Sequence, residues 1–306
     1  MNALRRLLIV AVLAPLAGRA AEPAGPLPAP PNRGAVKLMF DAWRAPVPPR
    51  HLLANIYYVG AIGVSSFLIT TPEGHLLLDS GFDDTVPIIQ KSVEQLGFKL
   101  TDVKIILSSH AHIDHVGGHA RMQKLTGAKI YASAGDARAL ESGGADDYIQ
   151  WPKDAIAYAP VKVDHVVADG ERVTLGGVTL TAHLTPGHTR GATTWTMEAE
   201  ADGRPQHVVF FSSATINPGT RLVNNPLFPD FVEQFEATFA KLKALPCDIF
   251  FAPHAGQFGM ADKFAKLDAG ANPNPFIDPA GWKKLIAGAE QAYRAQLALE
   301  QSATAK

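Results

Sequence analysis

The sequence predicts a mixed α/β fold in which parallel and antiparallel strands carry helices on their outer faces. Three observations predict it. The 306-residue chain is 47% hydrophobic and 19% charged, which is apolar enough to bury a core. Short apolar or β-branched runs of strand length alternate with amphipathic stretches of helical period. Neighbouring runs are joined in two ways, by tight turns such as Pro72-Glu73-Gly74, which make hairpins, and by helices, which make crossovers.

The elements follow in order. Arg5 and Arg6 precede an apolar run from Leu7 to Ala17 and the small-residue segment Gly18-Arg19-Ala20. Residues 1–20 therefore read as a secretory signal cleaved after Ala20. The run is about half of the roughly 20 residues that span a bilayer, so the expected mature chain is periplasmic, with no membrane anchor. Cleavage removes three arginines and takes the formal net charge from −1 to −4. Residues 21–49 read as an N-terminal arm that begins with a Pro/Ala/Gly-rich segment over 21–34. A single domain is expected over 50–306, because no Pro/Gly/Ser linker interrupts it. Its strands are expected at 64–70, 75–79, 104–109, 129–132, 178–185, 193–198, 207–213 and 248–252. Helices are expected near 84–97, 118–126, 134–142, 230–245 and 279–300.

Acidic and basic residues are interspersed, without the basic stripe that nucleic-acid binding needs. Cys247 is the only cysteine, so no intramolecular disulfide can form. A small-molecule substrate and a monomeric chain are the expected partner and state.

The chemistry concentrates at His110-Ala111-His112-Ile113-Asp114-His115, after the strand-like KIILSS and before a helical pattern. The C-terminal end of a strand is where ligands of α/β sheets usually sit. His110 and His112, two apart in extended backbone, project to one side and can share an ion. Asp114 and His115 turn with the starting helix and can reach a second one. Imidazole and carboxylate are the ligands zinc takes when no thiolate is offered. Two further histidines follow apolar strands: His188 in Thr185-Pro186-Gly187-His188-Thr189, and His254 in Ala252-Pro253-His254-Ala255-Gly256. A hydrolytic zinc site needs about three protein ligands and an open position, and six residues suffice for two such sites. The other histidines (His51, His75, His119, His165, His183 and His207) read as surface or strand residues.

These motifs resemble the metallo-β-lactamase family, whose His-x-His-x-Asp-His, Gly-His-Thr and late post-strand histidine are all matched over roughly 50–300. The resemblance implies an αββα sandwich: two mixed β-sheets with helices on the outer faces and a binuclear zinc site at the sheet edges. It makes Asp79, in Leu77-Leu78-Asp79-Ser80-Gly81, a supporting residue behind the metal loops. Lactonase-like and glyoxalase-like members carry a bridging aspartate on the strand before the last histidine. Here that strand reads Val208 to Ala214, with serine at that position and no Asp or Glu from Gly203 to Pro229. The pattern resembles the third subclass of class B, as do Asn55-Ile56-Tyr57-Tyr58-Val59-Gly60, Asn217-Pro218-Gly219 and Asn274-Pro275-Phe276-Ile277-Asp278-Pro279. Some members pair a cysteine matching Cys247 with a second one near the last helix. That partner is missing here, so a free, buried thiol is expected.

What the resemblance implies is a zinc-dependent β-lactamase opening the amide bond of penicillins, cephalosporins or carbapenems, and so conferring antibiotic resistance. Two zinc ions per chain are expected, one on His110, His112 and His188, the other on Asp114, His115 and His254. Asp114 also orients the attacking water. Ser213 and Thr215 are candidates for the substrate carboxylate. Tyr148 and Trp151, in the loop 146–160, and Trp43 are candidates for cleft walls. The alternatives are a lactone or thioester hydrolase of the same fold, and a non-catalytic exported zinc-binding protein.

Overall fold

A computed structural model describes residues 29–304; the expected signal over 1–20 and the first part of the arm lie outside them. The strands are β1 (Arg50–Leu53), β2 (Ile56–Tyr58), β3 (Phe67–Thr71), β4 (Gly74–Leu78), β5 (Val103–Leu107), β6 (Lys129–Ser133) and β7 (His165–Val167), then β8 (Arg172–Leu175), β9 (Val178–Leu184), β10 (Thr193–Ala201), β11 (Arg204–Phe210) and β12 (Ile249–Phe251). The helices are α1 (Arg33–Trp43), α2 (Val86–Gln95), α3 (Ile113–Val116), α4 (His119–Thr126), α5 (Ala134–Glu141), α6 (Lys153–Ile156), α7 (Phe231–Ala244), α8 (Met260–Asp268) and α9 (Pro279–Thr304).

Two mixed sheets result. In the first, β1 to β7 lie in sequence order, antiparallel from β1 to β4 and parallel from β4 to β7. The second is ordered β12-β11-β10-β9-β8 and is antiparallel except between β11 and β12. Each parallel pair needs a crossover. α2, α4 and α5 serve the first sheet in this way, and α7 serves the second.

The central strands of the first sheet are apolar on both faces because both are buried. Phe67, Ile69, Leu76, Leu78, Ile105 and Leu107 point into the core between the sheets, where they meet Leu180, Trp195 and Phe210. Their neighbours Leu68, Leu77 and Ile106 point outward, against Ile89 of α2, Met122 of α4 and Leu140 of α5. On the other side, α7 and α9 cover the second sheet through Phe235, Phe239, Trp282 and Tyr293. The layers therefore run helix, sheet, sheet, helix, as the resemblance implies.

Four features go beyond the sequence reading. α8 and the short strands β1, β2, β7 and β8 were not anticipated, being near or below the length at which periodicity is informative. Within the arm, residues 33–43 form α1, capped by the Asn32 side chain, which accepts from the Ala35 N–H at 2.9 Å. Val36, Met39, Phe40 and Trp43 give this helix an apolar face at helical spacing that the proline-rich flank obscures. Cys247 is free but only half-buried, and its thiol points at the Ile249 carbonyl at 3.4 Å.

Candidate metal centre

The loops after β4, β5, β9, β11 and β12 converge on one edge of the sandwich. The β5 end is tied across to the second sheet, since the Ser109 carbonyl accepts from the Thr193 N–H at 2.7 Å and from the Ser212 hydroxyl at 2.8 Å. Two clusters result. One ligand atom each of His110, His112 and His188 lie within 4.8 Å of one another, and so do those of Asp114, His115 and His254. His112 has extended backbone and begins α3, whose first turn swings Asp114 and His115 toward the second position. Gly187, at φ +138°, makes the turn that presents His188; a Cβ there would lie 2.9 Å from the Phe235 ring, which is a steric reason for glycine.

Surrounding acceptors fix the ring nitrogens. His188 Nδ1 lies 2.8 Å from the Thr215 carbonyl, and His254 Nδ1 lies 3.3 Å from the Gly63 carbonyl. A carbonyl only accepts, so Nδ1 carries the proton and Nε2 keeps its lone pair. His110 Nδ1 lies 3.1 Å from the Ser109 hydroxyl, which itself donates to Asp79 at 2.6 Å. His115 Nδ1 is turned to Asp79 at 3.6 Å, while its Nε2 sits 3.1 Å from Asp114. The buried Nε2 atoms of His110 and His115 have no hydrogen-bond partner. Orphaned buried nitrogens are costly, and a zinc ion would satisfy them. Burial also favours the neutral ligand form: it holds His110 well below its ordinary value, His188 at about 3 and His254 at about 4. Asp114 is kept in its charged form instead. Burial alone would raise it, but His115 and His254 hold it below the usual carboxylate range. Three imidazoles at one position and a carboxylate with two imidazoles at the other are donor sets that suit zinc.

A second layer holds these side chains, as metal-binding histidines require. Asp79, itself at a left-handed φ of 59°, accepts from the Ser109 N–H at 2.7 Å as well as from its hydroxyl. Asp136 joins the two ligand loops, accepting from Ala111 N–H (2.9 Å), the Thr189 hydroxyl (2.9 Å) and Gly191 N–H (2.8 Å). His119 is neither a surface nor a strand residue. It opens α4, is fully buried, and sits 2.6 Å from the Ser80 hydroxyl and 3.0 Å from that of Ser108. Asp147 stands 3.2 Å from His112 Nε2. Asp136 and Asp147 escaped sequence reasoning because each is a common residue outside the motif, and His119 was set aside because it does not follow an apolar strand as His188 and His254 do.

Both positions open into a cavity of about 360 Å³. His112, His188, Asp114 and His254 reach it from the metal side, while Trp43, Met39, Trp151 and Ile156 form apolar walls. Thr215 lines it. Ser213 does not: it is 3% exposed and its hydroxyl meets that of Thr215 at 3.2 Å, so it stands behind the wall. Tyr148 is also corrected. It is 2% exposed and its hydroxyl donates to the Gly187 and His188 carbonyls, both at 2.6 Å, so it braces the His188 turn instead of facing substrate. Asn217 lines the cavity with an unpartnered, buried Nδ2, a donor that sequence reasoning did not single out.

Comparison with known proteins agrees with this architecture. The profile described as metallo-beta-lactamase superfamily matches residues 59–254. The structure resembles the FEZ-1 metallo-β-lactamase of Legionella gormanii, at 40% identity and a TM-score of 0.83, over 84% of this chain and 98% of that one. It also resembles BJP-1, a subclass B3 metallo-β-lactamase of Bradyrhizobium japonicum, at 40% identity and a TM-score of 0.80, over 86% and 98%. Among curated sequences, a hydroxyacylglutathione hydrolase of Rhodospirillum rubrum is 28% identical over 165 residues, 53% of this chain and 51% of that protein. The chain thus spans about half the length of that curated relative. The chain belongs to the metallo-β-lactamase superfamily, a family of metal-binding hydrolases, and one of the structures it resembles, BJP-1, is of the B3 subclass.

Proposed function

We propose that this chain is a β-lactamase that holds two zinc ions and opens the lactam amide of penicillins, cephalosporins or carbapenems. The observation that carries the reading is the hydroxyl end of β11. Ser212 gives its hydroxyl to the Ser109 carbonyl and Ser213 meets Thr215, so no carboxylate stands between the two positions from that strand. This is the arrangement expected of the third subclass and not of the lactone and thioester hydrolases. The 40% identity over 98% of a solved metallo-β-lactamase supports it further.

When bound, the ions would supply Lewis-acid polarisation of the scissile carbonyl and a lowered pKa for water. The protein does the rest. Asp114, ionised and on the cavity wall, orients the attacking water, whose oxygen bonds the scissile carbonyl carbon while its proton passes to the lactam nitrogen as the C–N bond breaks. Thr215 and Asn217 offer a hydroxyl and an amide N–H to the substrate carboxylate. Trp43, Met39 and Trp151 keep bulk water from the reacting bond. Ser213 contacts no imidazole or carboxylate base among the described residues, and the Thr215 hydroxyl, 3.1 Å from His188 Nδ1, faces a nitrogen that carries its proton toward the Thr215 carbonyl, so water is the nucleophile and no acyl-enzyme forms. We also propose that the mature chain acts in the periplasm as a monomer after cleavage following Ala20. No described helix is long and apolar enough to cross a membrane.

The test sets a carbapenem, a chromogenic cephalosporin, a homoserine lactone and an acylglutathione thioester side by side, with and without chelator. Turnover of the two β-lactams that chelator abolishes and zinc restores is the expected result. Turnover of only the lactone or the thioester would replace the proposal with the corresponding hydrolase, a reading that the curated relative's name keeps in view. Zinc binding without turnover of any of the four would point to a non-catalytic protein.

A further inference from the structure

The loop between α5 and β7 is stitched to one of the two metal positions and not to the other. Two consecutive glycines at left-handed φ, Gly143 (64°) and Gly144 (88°), turn the chain out of α5. The Tyr158 N–H closes the far limb onto the Gly143 carbonyl at 3.2 Å. Four side chains of the loop and its anchors then reach the metal loops. The Tyr158 hydroxyl donates to the Ala111 carbonyl at 2.9 Å, beside His112. Tyr148 donates to the carbonyls of Gly187 and His188. Arg190, two residues past His188, donates to the Asp146 carbonyl at 2.6 Å. Asp147 places one carboxylate oxygen 3.2 Å from His112 Nε2, close enough for an ion pair though not aligned as a hydrogen bond. Its other oxygen accepts from the Ile149 N–H at 3.1 Å, so the carboxylate is held by the loop that carries it. All of these contacts address His110–His112 or His188. Among the described residues none touches Asp114, His115 or His254.

We propose that Asp147 is a positioning residue for the first metal position and that, through it, zinc occupancy there and order of the cavity-wall loop 143–158 are one linked equilibrium. The carboxylate faces Nε2 of His112, which leaves Nδ1 for the ion and fixes the ring plane. Its side chain is 6% exposed, so its buried negative charge is balanced best when the imidazole bears a cation. Metal on His112 polarises that ring toward Asp147, and the same contact tightens the loop. By reciprocity, whatever orders the loop must tighten the metal by the same factor. Ile149, Trp151 and Ile156 ride on this loop and line the cavity, so the shape of the substrate wall depends on the first ion. The inference rests on metal binding and not on the identity of the substrate; a chain that bound zinc but opened no β-lactam would leave it standing.

Hydrogen exchange of the wild-type protein, with zinc and with chelator, is the first measurement. Protection of 143–158 should rise with zinc, and equal protection in both states overturns the proposal without any variant. Stepwise zinc affinities by competition with a chromophoric chelator are the second, on Asp147→Asn and Asp147→Glu. Loss of a partner behind a metal-binding histidine typically weakens affinity about 10- to 100-fold. Asp147→Asn should show that loss for one of the two ions only, an altered visible spectrum for cobalt at that position, and no zinc-dependent protection of the loop. Asp147→Glu, which keeps the carboxylate, should recover most of the affinity. Wild-type affinity for both ions in Asp147→Asn, or equal weakening of both, overturns the assignment. Equal loss in Asp147→Glu and Asp147→Asn would make the residue a matter of packing and not of charge.

Discussion

A buried amide nitrogen without a partner costs free energy unless something outside the protein completes it. Asn217 Nδ2 is such an atom, on a cavity whose described lining holds no lysine or arginine. With Thr215 it is therefore the donor best placed to meet a substrate carboxylate. One hydrogen bond to a charged group contributes roughly 1.5–3 kcal/mol, so Asn217→Ala should lose about tenfold to a hundredfold in kcat/KM, carried by KM. Ser213→Ala, one step behind the wall, should keep its zinc and shift KM less. Steady-state kinetics with a carbapenem, together with metal analysis, check both. A fall in kcat at constant KM for Asn217→Ala would place the amide on the transition state instead. The contrast between these residues also shows what was readable at this scale. The six candidate ligands stand out because metal chemistry demands imidazole and carboxylate at short, fixed offsets. Asp136, Asp147, His119 and Asn217 carry no such offset. Their roles come from carboxylates, rings and amides that only the folded chain brings within 2.6–3.2 Å of a ligand loop or onto the cavity wall.

At the scale of elements, α1 joins a stretch of sequence that read as part of an N-terminal arm to the cavity. Its 11 residues are below the roughly 12–15 at which an isolated helix is even marginal in water, so its order depends on docking. Phe40 meets Phe82 edge-on at 5.0 Å between ring centroids, Trp43 lies 4.6 Å from the His254 ring, and Arg33 pairs with Asp154 of α6. The apolar residues beneath it, Val36, Phe40, Val64, Phe82, Ile149 and Ile156, form a cluster separate from the two main cores. A small separate cluster lets an element open locally while the rest of the fold persists. A Phe→Ala change in a core typically costs about 3–5 kcal/mol. Phe40→Ala should cost clearly less in global unfolding, while raising KM and removing hydrogen-exchange protection from 33–43. Urea unfolding and exchange on the same variant decide it, and a full core-sized loss of stability would make α1 part of the global folding unit. The long elements β9, β10, α7 and α9 were legible because several periods of pattern accumulate in each. α1 shows the limit: its pattern is present, but a proline-rich flank hides its start.

For the whole molecule, the division of the twelve described strands into two sheets could not be read from local pattern, because β3, β4, β5, β9 and β11 all present apolar runs whatever sheet they join. Only the resemblance to the family implied the sandwich. Long-range pairing supplies the division, and the candidate metal centre sits where the two sheets' ends meet, with ligands after β5 in one sheet and after β9 and β12 in the other. Zinc bound there would therefore act as a cross-link between the halves, yet the cores that hold the halves together are elsewhere. Trp195, Phe210 and Phe251 are buried between the sheets, and Leu77, Ile89 and Met122 lie under the outer helices. The chelated protein should accordingly stay folded. A ligand that binds only the native state stabilises it by about 4.1 kcal/mol when present at 1,000 times its Kd, and each kcal/mol moves the midpoint by about 2–4 °C in a domain of 150–250 residues. One such ion should thus raise Tm by about 10 °C, with a second adding a comparable step. Calorimetry and far-UV circular dichroism with chelator, one equivalent and two equivalents of zinc follow both quantities. Native secondary structure throughout, with Tm rising in two increments, is the expected result. Loss of secondary structure on chelation would show that the ions, and not the two cores, hold the sheets together. A single increment complete at one equivalent would remove the second position from the stability of the fold and leave Asp114, His115 and His254 to be explained without an ion.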